Sequence, residues 1–160
     1  MPFVYRVIKK RHPIYDATGS MLHGGRWSSA GRALIYASEH YATAILEKLV
    51  HAGRLQLPGP HHAAVIVIPD DLPTEQFDPA RHPRWNTSDS IVARRFGDAW
   101  VGEARTSVLL VPSIPGQPAE WNYVINLAHP DATRIRVLQP FDVIWDGRLF
   151  GPPTSAPTEL

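Results

Sequence analysis

The chain contains no cysteine, which removes disulfides, thiolate metal sites and a cysteine nucleophile together. Lysine is nearly as scarce, with Lys9, Lys10 and Lys48 standing alone, so the basic residues are mostly arginine. That bias fits planar recognition of anions and equally a genome rich in G and C. No stretch approaches the ~20 apolar residues of a membrane span. The apolar piece of the opening MPFVYRVIKKRHP is too short for a secretion signal. A cytoplasmic protein that leaves the membrane alone is expected. Neither a Walker-type phosphate loop nor a G-x-G-x-x-G fingerprint occurs, so the usual Rossmann route to a dinucleotide is closed. A net charge of +1 is too small for a chain that grips nucleic acid through bulk electrostatics.

What the sequence does contain is one organising stretch, Gly24 to Gly53. Its double glycine frees the backbone for a close approach. Arg26 and Trp27 follow, a guanidinium able to pair bidentately with a phosphate beside an aromatic face. Ala33 to Ala37 reads as a strand, Ser38 as a helix N-cap and Gly53 as the terminator. Ala42, Ile45, Leu46 and Leu49 recur at helical spacing, so they are expected to face the core, with Glu47 at the border of that stripe. Loop, strand and helix flank succeed each other closely enough to bring Arg26, Tyr36 and Glu47 into one cleft. The plainer alternative leaves Glu47 on the surface, pairing loosely with His51 at i+4.

At 160 residues the chain is most simply one domain spanning 1–150, with a Pro-rich tail over 151–160 expected to be loose. Phe3 to Ile8 alternates as a first strand and carries Arg6, either solvent-facing or lining a cleft. Lys9 to Met21 reads as a loop. The run Ala63 to Ile68 has the pattern of a strand buried on both faces. His61 and His62, being adjacent, would point apart rather than chelate together. Pro69 to Trp85 reads as a long irregular loop, with Asp70 and Asp71 in a turn. Ser88 offers a cap to a helix bearing Ile91, Val92 and Phe96, with Arg94 and Arg95 outside. Thr106 to Val111 and Trp121 to Leu127 read as strands. The first ends at Ser113 on a rigid turn between prolines, and the second sets Asn122 and Asn126 on one face, for a polar ligand or for neighbouring backbone. Arg134 to Leu138 and Phe141 onward suggest two more. The expected class is α+β, a mixed β core of about six strands with two flanking helices.

A cleft of Arg, Tyr, Glu, Ser and Asn without metal or thiol suits cleavage of an N-glycosidic bond. Its transition state is oxocarbenium-like, and a carboxylate beside the sugar stabilises the developing charge.

Gly25-Arg26-Trp27, Ile35-Tyr36-Ala37-Ser38 and Ala44-Ile45-Leu46-Glu47 together resemble the core of the RES domain family, named for its Arg, Glu and Ser. Later blocks are similar too: Phe96 to Trp100, Val111-Pro112-Ser113, Glu120-Trp121-Asn122 through Asn126, His129-Pro130, Phe141-Asp142 and Arg148 to Phe150. The likeness runs from about Tyr5 to Phe150. The chain departs from it at Ser28, where Asn is usual, and at Leu127, where Pro is usual. The resemblance implies an ADP-ribosyltransferase-like fold and a toxin of a bacterial toxin–antitoxin pair that uses NAD+ as substrate, with no metal. Carried over by position, Arg26 binds phosphate or ribose, Tyr36 stacks at the nicotinamide, Glu47 holds the ribose and Ser113 completes the catalytic set. Arg6, Trp27 and Asn122 are candidates for the binding wall. ADP-ribose passes to phosphate, water or a protein. The implied partner is an antitoxin with a helix-turn-helix part that blocks the cleft; a non-catalytic interaction module is the remaining alternative.

Overall fold

The alternation near the N-terminus forms strand β1, Phe3–Lys9, in a computed structural model that describes residues 2–52 and 57–151. The β-branched run forms β3, His61–Val67, with both faces largely buried as expected. Strands β2 (Leu34–Ser38), β5 (Val108–Pro112) and β6 (Trp121–Asn126) also lie where the patterns place them. They belong to an eight-stranded sheet in the order β4-β5-β6-β2-β1-β3-β7, with β8 also on β3. All pairings are antiparallel except that of β4 with β5. With helices α1 (Thr18–His23), α2 (Tyr41–Ala52) and α3 (Ile91–Gly102), the fold is α+β.

The sheet has two lobes that barely touch. β1 pairs with β3 from Phe3↔Val67 to Lys9↔His61, and β2 with β6 from Leu34↔Asn126 to Ser38↔Asn122. Between the lobes, β1 and β2 meet at the single register pair Tyr5↔Ser38. Past it, Arg6 bridges the gap. Its Nη1 donates to the Tyr36 carbonyl at 3.1 Å, Nε to Ile14 O at 2.7 Å and Nη2 to Asp16 O at 3.0 Å. Burial lowers its pKa to about 10, with Asp16 and Tyr15 acting the other way, so it stays cationic at neutral pH. Arg6 is thus neither solvent-facing nor a ligand-binding wall; its three directions of donation satisfy backbone that no strand reaches.

Strand period sorts the sheet's two faces. Val4, Ile35, Ala37, Ile66, Val108 and Ile125 pack on one side with Ile68, Leu72 and Ile135. Leu34, Leu109, Val111 and Val124 pack on the other beneath Trp27, Phe77, Trp85, Ala93 and Trp100. α3 covers this second face by burying Ala93, Gly97 and Trp100. Ile91, expected inward, is 46% exposed. The helix begins at Ile91, three residues past Ser88, and Asp89 Oδ1 takes the Ile91 N–H.

α2 corrects the periodicity argument. Thr43 and Ala44 are buried, and Ile45 packs against the small cluster of Val7, Ala44 and Ala63. Ala42 is exposed, as are Leu46 at 40% and Val50 at 57%. The helix is rotated so that Thr43 and Glu47, one turn apart, point inward. Buried hydrogen bonds to those two side chains outweigh the apolar stripe in setting its phase. Ser38 is no cap; it ends β2.

Other segments differ from expectation because short elements carry weak patterns. Lys9 to Met21 contains the start of α1. The proline-rich 69–85 segment contains β4, Thr74–Gln76, and a 3-10 turn over Pro79–Arg81. Both late strands form, but only as the short pieces β7 (Arg136–Val137) and β8 (Phe141–Asp142). Asp71 pairs with Arg134 at 2.6 Å. His61 bonds Gly59 O and His62 bonds His12 O, facing apart as expected. Gly53 and the tail beyond Gly151 lie outside the described residues.

Gly97 is where α3 meets the Gly24–Ser28 turn. A Cβ there would lie 1.6 Å from the Trp27 carbonyl oxygen, so Gly97→Ala must push helix and turn apart. Denaturant unfolding is expected to show a loss of roughly 3 kcal/mol.

Candidate active site

The site starts from a turn. Gly25 N donates to Ser28 O at 2.9 Å, closing a small loop with Arg26 and Trp27 at its tip. Gly24 has φ +66 and a Cβ there would sit 2.6 Å from Ser28 O; a Cβ on Gly25 would sit 2.9 Å from Tyr36 Oη. The first glycine supplies a conformation, the second room for the phenol. The α3 block Phe96-Gly97-Asp98 holds this turn. Phe96 meets Trp27 edge-on with centroids 6.5 Å apart, and Asp98 accepts Ser29 N at 2.9 Å and Ser29 Oγ at 2.5 Å.

Trp27 does not serve the binding wall assigned to it. It is 3% exposed, set edge-on against Phe77 at 4.7 Å and stacked on Trp85 at 6.0 Å. An enclosed indole offers no face to a ligand; this one anchors the turn that carries Arg26. The Arg26 guanidinium is partly buried, and Nη1 donates to Thr87 O at 2.8 Å. Desolvation lowers its pKa, while the negative charges of Glu47 and Asp89 act in the opposite sense. Arg26 and Glu47, twenty-one positions apart in the chain, thus share one electrostatic neighbourhood.

Tyr36 lies on β2 with its phenol against Gly25 of the turn. Its hydroxyl is buried beside Ser28 Oγ, neither making a hydrogen bond of regular geometry. Burial raises the phenol pKa, with Ser28 and the Trp27 backbone opposing, so it is neutral at physiological pH. What Tyr36 can offer a ligand is its ring.

Glu47 is the most constrained group of the set. Its Oε1 accepts Ser113 Oγ at 2.8 Å and Asn122 Nδ2 at 2.6 Å. Ser113, fully buried, also takes Gly116 N at 3.2 Å, which fixes its hydroxyl to donate toward Glu47. Asn122 Oδ1 accepts Ser38 Oγ at 2.7 Å, which turns its amide nitrogen toward the carboxylate. Oε2 takes neither bond. His51, the alternative partner for this acid, instead bonds the Glu47 backbone carbonyl at 2.7 Å. The structure therefore joins Glu47, Ser113 and Asn122 by hydrogen bonds, sets Arg26 in the electrostatic neighbourhood of Glu47 and Tyr36 against the turn that carries Arg26, and gives Arg6 and Trp27 to holding their frame. Asn126 lies apart, capping its own turn through Ala128 N.

Sequence reasoning overlooked Ser38 as the support of Asn122, because that bond depends on the β2–β6 register. It also passed over Thr87 and Asp89, for which no local pattern gives a signal. Glu39, His40 and Glu120 form the one group among the described residues whose ligand atoms lie within 4.8 Å of one another. One oxygen of each carboxylate is already engaged. Glu120 Oε2 meets His40 Nδ1 at 2.6 Å and Thr43 Oγ1 at 3.1 Å, while Glu39 Oε2 takes Trp121 N at 3.0 Å.

A single α+β domain with a split mixed sheet thus carries one carboxylate held by a serine and an amide, in the same electrostatic neighbourhood as an arginine. The RES domain model matches residues 3–146, and the chain belongs to the RES domain family. It is 36% identical over 139 residues to the "Prs ADP-ribosylating toxin" of Sphingobium sp. (strain YBL2), covering 84% of this chain and 86% of that one. It is 33% identical over 137 residues to "Toxin Res" of Pseudomonas putida, covering 84% and 92%. The toxin–antitoxin complex MbcT–MbcA of M. tuberculosis contains a similar fold, with TM-score 0.71 and 18% identity over 88% of this chain and 83% of that chain.

Two expectations follow from the geometry. Asn122→Asp sets a second carboxyl 2.6 Å from Glu47 Oε1, and two such groups hold one proton between them. Denaturant unfolding at several pH values should then show the variant losing stability as pH rises and the second carboxyl ionises. His40 has its pKa raised above 6.5 chiefly by its bond to Glu120, whose own is lowered below 4.5 chiefly by His40. The histidine's contribution to stability is whole below 6.5 and lost as pH rises through its folded value; the glutamate's is whole above 4.5 and lost as pH falls. Glu120→Gln should return the His40 titration toward 6.5 in proton NMR.

Proposed function

We propose that this chain is the toxin of a bacterial type II toxin–antitoxin pair and consumes NAD+. It breaks the bond between nicotinamide and ribose and passes ADP-ribose to phosphate or water, which drains NAD+ and arrests growth. The observation that carries the reading is the Glu47 carboxylate, held through Oε1 by Ser113 and Asn122 and close enough to Arg26 to act on its charge. Membership of the RES domain family and the printed names of the two relatives support it.

In this mechanism the C1′–N1 bond breaks and nicotinamide leaves with the electron pair, neutralising its pyridinium charge. Positive charge spreads over C1′ and the ring oxygen. Glu47, ionised and already hydrogen-bonded on Oε1, stabilises that charge and holds a ribose hydroxyl through Oε2. Because its two donors are in place before substrate arrives, little reorganisation accompanies the reaction. Arg26 grips a phosphate of the diphosphate, and the Tyr36 ring packs against the nicotinamide. An oxygen of phosphate or water then bonds to C1′ and gives up its proton. No metal takes part.

A second reading, mono-ADP-ribosylation of a cellular protein or of the toxin itself, is favoured by the name of the Sphingobium relative. It shares the first step and differs in the acceptor. The partner is an antitoxin with a helix-turn-helix DNA-binding part that occupies the cleft, and the likeness to a toxin in a toxin–antitoxin complex supports it. The toxin acts in the cytoplasm; among the described residues no helix is long and apolar enough to cross a membrane.

Glu47→Gln keeps an acceptor oxygen for Ser113 and Asn122 and removes the charge. It should fold normally and release nicotinamide at least ~10²-fold more slowly, and cells expressing it should grow and keep their NAD+. Growth arrest by this variant would refute the role of Glu47. Label from radioactive NAD+ appearing on a protein, with little bulk loss of NAD+, would select the second reading. Tyr36→Phe should retain most activity and Tyr36→Ala little, since the hydroxyl is buried.

A further inference from the structure

We infer that the segment Arg84–Ser90 is a positioning element for Arg26, acting through the Thr87 carbonyl to aim the guanidinium into the cleft; the inference rests on the reading that Arg26 binds the diphosphate. Thr87 O accepts Arg26 Nη1 at 2.8 Å and Ser90 N at 3.1 Å, so the acceptor is itself tied down. Occupying Nη1 leaves the Nε–Nη2 edge, one of the guanidinium's bidentate edges, to face an anion.

The segment is built to hold that carbonyl still. Trp85, 7% exposed, stacks on Trp27 at 6.0 Å, so the residue next to Arg26 and the residue two before Thr87 are locked ring to ring. Thr87 Oγ1 lies 3.0 Å from Arg84 O and 2.8 Å from Asp89 Oδ1, and that same Oδ1 accepts Ile91 N at 3.1 Å. The tongue is thereby fastened to the first turn of α3. Arg84 and Ser90 bracket it with φ of 67 and 58, left-handed conformations that side chains adopt only when the surroundings impose them. A surface loop of this length with two such residues, an indole anchor and a shared aspartate cap is better ordered than a connection needs. Asp89 also sets a negative charge beside Arg26, which discourages a stray anion and leaves the site to a ligand with more contacts.

Thr87→Ala removes the hydroxyl that braces the tongue and leaves the carbonyl and Arg26 in place. In the full-length protein the KM for NAD+ should rise about three- to tenfold with kcat within about twofold, and Thr87→Ser should restore it. With Arg26→Lys, which lacks the planar fork, Thr87→Ala should add nothing further. A readout free of catalysis is the nitrogen NMR of the Arg26 guanidinium: distinct Nη1 and Nη2 signals in the wild type, merged by faster rotation in Thr87→Ala. Unchanged separation of those signals, or an undiminished effect of Thr87→Ala in the Arg26→Lys background, overturns the inference. Wild-type protein that releases no nicotinamide, yet whose Arg26 signals merge in Thr87→Ala, overturns the proposed activity and keeps the positioning role.

Discussion

The bond between Glu47 and its two donors is what the architecture serves. A carboxylate half sunk against a sheet needs its lone pairs met, and here one oxygen is met twice, by a serine on the turn after β5 and an amide on β6. Each donor is in turn steered by a further contact, Gly116 N on Ser113 and Ser38 on Asn122. The chain of bonds thus runs from β2 through β6 to α2, and from the β5 turn to the same oxygen. Charged acceptors make such bonds stronger than neutral ones, and this explains why α2 turns polar residues inward and leaves Leu46 and Val50 to solvent.

The other half of the site depends on packing rather than on charge. Trp27, Phe77, Trp85 and Phe96 form an aromatic cluster on the face of the sheet that Tyr36 shares, and the Arg26 turn is suspended from it. α3 fits closely because Gly97 presents no side chain to the Trp27 carbonyl. Two unlike fastenings, a polar network around Glu47 and an apolar cluster beneath Arg26, hold the two charged groups.

Much of this was legible in the sequence. The strands at Phe3, Leu34, His61, Val108 and Trp121 follow from alternation or from continuous β-branched runs, because five or more residues carry a clear period. The double glycine, Arg26, Tyr36, Glu47 and Ser113 could be nominated by residue type and order. What escaped was whatever depends on register or on long-range partners. The phase of α2 escapes the pattern because Ala42 and Leu46 of its apolar stripe face outward while Thr43 and Ala44 are buried. Arg6 was left open between solvent and cleft, since nothing local reveals carbonyls at Ile14, Asp16 and Tyr36 awaiting a donor. Trp27 was offered to a ligand because its burial comes from Trp85 and Phe77, more than forty positions away. β4 is too short to show a period at all.

Arg6 has one more consequence. Where β1 and β2 part, a planar cation does what a ladder of peptide groups does elsewhere, reaching three carbonyls in three directions from one buried point. A lysine at that place, with a single compact ammonium, has no planar fork to spread toward such scattered acceptors. Beyond the Tyr5↔Ser38 pair the two lobes are therefore joined by side-chain chemistry instead of by sheet, and the gap can stay open without stranding dry oxygens along its rim.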